Sequence, residues 1–175
     1  MSHLNMSVGI LSAALLLGGS PALPAAESSS ETPVTINIQR MSLETALRLA
    51  HSAIDECREQ GVQVAVTVVD RGGHPQVVLR DVLAVDLTLE ISRQKAYTAM
   101  SFGSPTSVLA SRFAQPFSVA KVDGVLPAAG GLPVTAAGAT IGGVGVSGAP
   151  SGETDEQCAQ AGIDAVEMDL EMAGM

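Results

Sequence analysis

The segment Val62 to Asp70, VQVAVTVVD, is almost continuously apolar and rich in β-branched residues. A run of this kind reads as a largely buried strand. Arg71-Gly72-Gly73-His74 follows it as a hairpin turn, with Gly where φ > 0 is needed. Pro75 to Arg80 is the return strand, and a Pro at its first position removes no central ladder bond. A buried strand must be covered, and composition decides with what. The chain is 46% hydrophobic but only 2% aromatic, so its core has to come from Ala, Val, Leu and Ile, with Gly allowing close backbone approach. Side chains this small require helices and sheet to pack closely.

Helical periodicity supplies the cover. Ser42 can cap a first helix in which Leu43, Ala46, Leu47, Ala50, Ile54 and Cys57 recur at helical spacing, and Gly61 ends it. Before it, Thr35 to Ile38 reads as a short strand or a lead-in segment. Asp86 can cap a second helix running to about Phe102, which Gly103 stops. Ser104 as N-cap and Pro105 at the first helical position start a third, ending near Gln115-Pro116. Short strands with Gly-rich turns are predicted around Val125 to Ala128, Leu132 to Thr135 and Ala139 to Val146. Ser147 to Asp155 reads as a loop, and an acidic helix covers roughly Thr154 to Met172. Hairpins outnumber βαβ units. The reading is an α/β fold of the α+β type, with an antiparallel sheet covered by helices from both ends of the chain.

At 175 residues the chain is of single-domain size. Val8 to Gly19 is an apolar run, followed by SPALPAA. This reads as a signal peptide over residues 1–26, cut after Ala25 or Ala26; the run is too short to span a bilayer, which takes roughly 20 residues. Residues 27–40 are then a linker and lead-in, and residues 41–175 the domain. The expected location is exported, periplasmic or extracellular. In that setting Cys57 and Cys158 can form a disulfide, or they can be two small buried thiols.

All four aromatic residues, Tyr97, Phe102, Phe113 and Phe117, lie between Ile91 and Val122. So do Arg93, Lys95, Arg112 and Lys121, with no Asp or Glu. Every charged residue after Lys121 is acidic, and the formal net charge is −9. This excess of negative charge argues against a nucleic-acid partner. Flat apolar side chains kept beside cations suit a flat, apolar, anionic ligand. A core segment with solvated edges accounts for the same facts.

Other motifs carry less. Gly143-Val-Gly145-Val-Ser-Gly148 fits the dinucleotide fingerprint, but the chain ends within one helix and lacks the second parallel strand. The glycines are better read as letting a helix lie close on a strand. His51 flanks the apolar stripe of the first helix and His74 sits in the hairpin turn; no pair has metal-site spacing. Neither a nucleophile elbow nor a Cys–His pair can be assembled. Glu56 and Glu59 share a helix face, read as solvated.

Three strings, VAVTVVDRGGHPQVVLR (Val64 to Arg80), RQKAYTAMSFGSPTSVLASR (Arg93 to Arg112) and AAGGLPVTAAGATIGGVGVSGAPSGETDEQCAQAGI (Ala128 to Ile163), resemble the GlcG/HbpS-like family. The GAPSGETDEQ form is similar to the extracytoplasmic haem-binding branch. The resemblance implies a sheet of about five antiparallel strands with helices packed on it, and a homo-oligomer. It also implies haem as cofactor, with iron and oxidative-stress sensing associated and a membrane sensor protein as a possible partner. A threonine is implicated as iron ligand in that branch; Thr106 is the best match, ahead of Thr98. Tyr97, Phe102, Met100 and His51 then become candidate haem contacts, and Arg93, Lys95 and Arg112 candidate propionate partners. His51 and His74 remain alternative iron ligands. Two other functions stay open: an enzyme or enzyme accessory acting on a small carboxylate or a tetrapyrrole, and a sensor-interaction module.

Overall fold

The computed structural model describes residues 32–116 and 118–173. The expected signal peptide and Phe117 lie outside the described residues. Residues 32–36 belong to a first unit and carry no helix or strand; the second unit begins at Asn37. No strand forms over Thr35 to Ile38.

The first helix, α1, spans Leu43–Glu59, and the Ser42 hydroxyl accepts the Thr45 N–H at 3.1 Å as the sequence predicts. β1 (Ala65–Asp70) and β2 (Pro75–Arg80) pair antiparallel through the expected turn. α2 spans Leu87–Phe102, α3 Thr106–Arg112, β3 Gly131–Ala136 and β4 Ala139–Ser147. α4 (Gly152–Asp164) and α5 (Glu167–Ala173) complete the chain. The sheet has four strands in the order β2-β1-β4-β3, all antiparallel. The buried strand read from VQVAVTVVD is thus a central one, and all six residues of β1 are buried.

Several sequence expectations are corrected. The sheet has four strands, not five: around Val125 to Ala128 the backbone curls, with Val125 bonding Val122 and Ala128 bonding Leu126. Pro127 has no N–H for a ladder, and the Leu126 N–H goes to the Thr98 hydroxyl at 2.8 Å. Asp86 makes no side-chain cap, being already helical at φ −55°. Pro105 occupies the cap position of α3, displacing Ser104, and α3 ends at Arg112. The single acidic helix is two, and the break puts Val166 and Leu170 into the core.

Alternation along the strands divides the sheet into two unlike faces. Val66, Val68, Val144, Val146, Leu132 and Val134 point into the main core, under α1 and α4. Those two helices pack closely because Gly162 lies under the Leu49 carbonyl: a Cβ there would sit 2.6 Å from it. Cys57 and Cys158, both fully buried, meet at that contact as a disulfide with Cα atoms 5.5 Å apart.

The opposite face carries Thr67, Val69, Gly131, Gly143 and Gly145, and α2 lies directly on it. A Cβ at Gly145 would stand 2.1 Å from the Ser92 carbonyl oxygen, at Gly143 2.5 Å from that of Ala96, and at Gly131 2.6 Å from that of Lys95. The would-be dinucleotide motif is therefore a seat for a helix. Thr67 and Ser92 bond hydroxyl to hydroxyl across it at 2.8 Å.

A substitution pair tests the seat. Gly145→Ala should cost about 3 kcal/mol, the upper end for overpacking, because the obstacle is backbone. Gly61→Ala, at φ +75° with nothing within 4 Å, should cost only about 1 kcal/mol of backbone strain. Urea midpoints of the oxidised proteins measure both; equal losses would contradict the seat.

Candidate ligand-binding site

Each residue of a helix advances by about 100°, so the candidates on α2 fall on two flanks. Arg93, Tyr97 and Met100, at i, i+4 and i+7, share the flank toward the β1–β2 turn. Lys95, Thr98 and Phe102 share the flank toward β3 and α3. The structure treats the two sets differently.

The β3 flank is an internal polar seam. The Lys95 ammonium is buried; it donates to Asp155 Oδ2 at 2.8 Å and to the Val146 carbonyl at 3.0 Å. Asp155 Oδ1 accepts the Ala149 N–H at 3.0 Å. Burial pushes the Asp155 carboxyl above its ordinary range, against the pull of Lys95. Lys95 thus holds α2 to α4 and is not free to reach a propionate, which corrects that expectation. Thr106 is fully buried, accepting the Gly131 N–H at 2.9 Å and donating to the Gly131 carbonyl at 3.3 Å. Its hydroxyl joins α3 to β3. Phe102 leaves the core and packs edge-on against Phe113, ring centroids 4.9 Å apart, and Arg112 is exposed nearby in sequence. Beside this seam lies a cavity of about 420 Å³ lined by Pro105, Ser107, Leu132, Glu153, Glu156 and Gln160. Glu156 accepts from Ser107 at 2.8 Å. Two carboxylates there oppose an anionic ligand.

The other flank is open. Tyr97 is half-buried and its ring lies against the turn: a Cβ at Gly73 (φ +82°) would stand 2.7 Å from the ring edge. Among the described residues its hydroxyl has no hydrogen-bond partner. Arg71, from the same turn, donates to the Met100 sulfur at 3.4 Å. Met100 is buried beside Val69 and Ala96, with its sulfur turned toward Arg71. Arg93, one helical turn before Tyr97, forms two bonds to Glu90 of 2.7 and 3.0 Å. The pairing lowers the Glu90 carboxyl and raises the Arg93 guanidinium, so both stay charged.

Below this flank α2 does not reach the sheet edge. Val78 of β2 is paired with Thr67, so it points to the α2 face, yet it is 46% exposed. Arg80, two residues on, faces the same way and bonds the Ala84 carbonyl. On this side of the sheet the ring of Tyr97 packs on Val69, Ala96 and Met100, Val78 is exposed, and Arg71, Arg80 and Arg93 supply guanidiniums. Sequence reading missed Arg71, Val78 and Arg80. Strand alternation puts Val78 and Arg80 on one face, but nothing in the spacing says that α2 leaves it bare.

Of His51 and His74, only His74 lies in the turn that meets this flank. His51 is exposed on α1, on the far side of the sheet from α2. His74 is exposed in the turn, its Nδ1 3.5 Å from Asp70 Oδ1. Burial opposes ionisation of Asp70, but the backbone N–H groups of His74 and Gly72 and the Arg40 guanidinium outweigh it and hold the carboxyl below its ordinary value.

The comparisons agree with this architecture. A family model described as haem degrading protein HbpS-like matches residues 41–164. The chain belongs to the HbpS-like family. The crystal structure of HbpS is 42% identical, superposes with a TM-score of 0.74, and is matched over 76% of this chain and 94% of that one. PduOC, solved as its haem complex, is 29% identical with a TM-score of 0.67, over 73% of this chain and 95% of PduOC. An uncharacterized 15.0 kDa protein of the dhaT-dhaS intergenic region of Citrobacter freundii is 31% identical over 133 residues, 73% of this chain and 92% of that protein. In this HbpS-like chain no described helix is long and apolar enough to cross a membrane.

The buried pair gives a sharp test. Lys95→Met leaves Asp155 buried without its cation and should cost about 3–5 kcal/mol. Lys95→Met combined with Asp155→Leu should recover most of that loss. If the single and double variants have the same urea midpoint, the pair is not what holds α2 to α4.

Proposed function

We propose that this chain is an exported haem-binding protein that holds haem on the strip between α2 and β2. The observation that carries the reading is Tyr97, a phenol with no hydrogen-bond partner among the described residues, packed on Val69, Ala96 and Met100 on the flank of α2 that also carries Arg93 and meets Arg71. Haem is flat and apolar with two carboxylates at one edge, and this donor set has matching chemistry: ring against ring, Arg against propionate. Arg93, Arg71 and Arg80 would hold the propionates, and bound haem supplies iron redox chemistry at the surface. Tyr97 would supply an oxygen donor for iron, since tyrosinate is an established type of haem ligand. Thr106 would have to leave Gly131 to reach iron, giving up two hydrogen bonds.

Family membership and the haem complex of PduOC support haem as the ligand. The disulfide supports export, because such bonds persist in oxidising compartments and are rare in the cytosol. The family's description favours one second reading, that bound haem is broken down.

Haemin titration of the mature, oxidised protein tests the proposal. A Soret band distinct from free haemin is expected; its absence would end the haem reading. Tyr97→Ala and Arg93→Ala should each weaken binding by about tenfold or more, corresponding to about 1.4 kcal/mol. Tyr97→Phe should keep affinity closer to wild type and shift the spectrum. Thr106→Val should lower the unfolding midpoint and leave the spectrum of the folded protein unchanged; a spectral shift there with none in Tyr97→Phe would assign the iron to Thr106. Adding a reductant together with dioxygen, which supplies the oxygen atoms for ring opening, separates storage, with a persistent Soret band, from breakdown to an open-chain product.

A further inference from the structure

The sides of α5 are unlike one another. Leu170 goes inward to the core, and Asp169 on one flank is paired with Arg48 of α1. Glu167 and Glu171, one turn apart on the other flank, are exposed and have no hydrogen-bond or ion-pair partner among the described residues. Met168 and Met172, also one turn apart, form the outermost ridge and are 74% and 64% exposed.

The two carboxylates border a cavity of about 360 Å³ between α5, the end of α4 and the β3–β4 turn. Ile163, Leu170 and Ala137 give it apolar surface, and Thr135 adds a hydroxyl. Its rim at the turn is open, since a Cβ at Gly138 would meet nothing within 4 Å. Around the helix the order is therefore apolar groove, carboxylate pair, methionine ridge. Like charges one turn apart weaken a helix, and α5 has only seven residues to absorb that. A cation seated between Glu167 and Glu171 removes the repulsion.

Charge and shape select the occupant. A Lys or Arg side chain lays its alkyl stem on apolar surface and carries its cation at the tip. Methionine is unbranched and adapts to varied apolar partners, which suits it to binding surfaces. Every charged residue after Lys121 is acidic, so α4 and α5 supply no cation of their own. A second copy of this surface, an anionic lipid surface or a nucleic acid would bring negative charge against negative charge. Among the described residues no group of three or more side chains could hold a metal ion, and two carboxylates fall short of a cation's oxygen shell.

We infer that Glu167, Met168, Glu171 and Met172 form a docking surface for a basic amphipathic segment of another protein. A Lys or Arg of that segment lies in the groove with its cation at the carboxylate pair, and its apolar side chains cover the methionine ridge. The surface is independent of the haem reading, because α5 packs beside β3, at the opposite edge of the sheet from β2.

A synthetic amphipathic peptide of Leu and Lys is the probe, titrated by fluorescence anisotropy into the mature protein with its disulfide intact. Saturable binding is expected. A Gly/Lys peptide of equal charge and a Leu/Glu peptide should each bind at least about tenfold more weakly. Glu167→Gln with Glu171→Gln, and Met168→Ser with Met172→Ser, change only exposed side chains and should leave far-UV circular dichroism unchanged. Each pair should weaken the Leu/Lys peptide by about tenfold. Glu56→Gln with Glu59→Gln removes the same charge from α1 and should leave affinity unchanged. Absence of binding to wild type would overturn the docking surface. Equal losses from the α1 and α5 carboxylate pairs, or equal affinity for the Gly/Lys peptide, would reduce the effect to net charge and overturn it as well. A fall in mass by light scattering on Met168→Ser with Met172→Ser, with no peptide present, would make a second copy the occupant and contradict the inference.

Discussion

α2 rests on the sheet backbone itself, and the placement of most other groups in this molecule depends on that contact. Three glycines of β3 and β4 leave no side chain between strand and helix, so three helix carbonyls stand where Cβ atoms would otherwise be. Close packing of this kind fixes the rotation of the helix as well as its height. Once Ser92, Ala96 and Ala99 face the strands, Lys95 must point toward α4 and Arg93 and Tyr97 toward the β1–β2 turn. The division of labour along α2 is a geometric consequence of the seat: one flank joins the layers, the other meets solvent.

The two sheet faces are correspondingly unequal. α1 and α4 share one face, cross-linked by Cys57–Cys158 over a separation of 101 residues, and β2 is covered there by Val77 and Leu79 packing under α1. Closing a loop of that length is worth about 4.7 kcal/mol in chain entropy. The other face has a single long helix centred on β4, so the edge strand β2 keeps Val78 in the open. A stable layer on one side makes an incomplete layer on the other tolerable, and the incomplete layer is where Val78 stays exposed on the sheet.

Much of this was legible in the residues. Ser42, Gly61, the Arg71–His74 turn and the β-branched run of β1 each specify local geometry within a few positions, and the structure follows them. The close helix–strand approach read from Gly143 and Gly145 is also present. Positions determined by distant contacts were not legible. Lys95 looked like a surface cation because its partner, Asp155, lies 60 residues away, and Thr106 looked free because the Gly131 backbone that occupies it is brought up by β3. The fifth strand failed for a local reason, Pro127, that apolar patterning alone underweighted. The strip over β2 was missed because a bare face depends on what a helix does not cover, and periodicity in one segment carries no such information.

Amide hydrogen exchange with and without haemin tests the central claim that the Arg93–Tyr97 flank and β2 form the ligand face. Protection is predicted to rise over residues 71–80 and 89–100, with little change around Pro105 to Ser107 and Glu153 to Gln160. Protection confined to those last two segments would put the ligand in the acidic cavity between α3 and α4 and contradict the account.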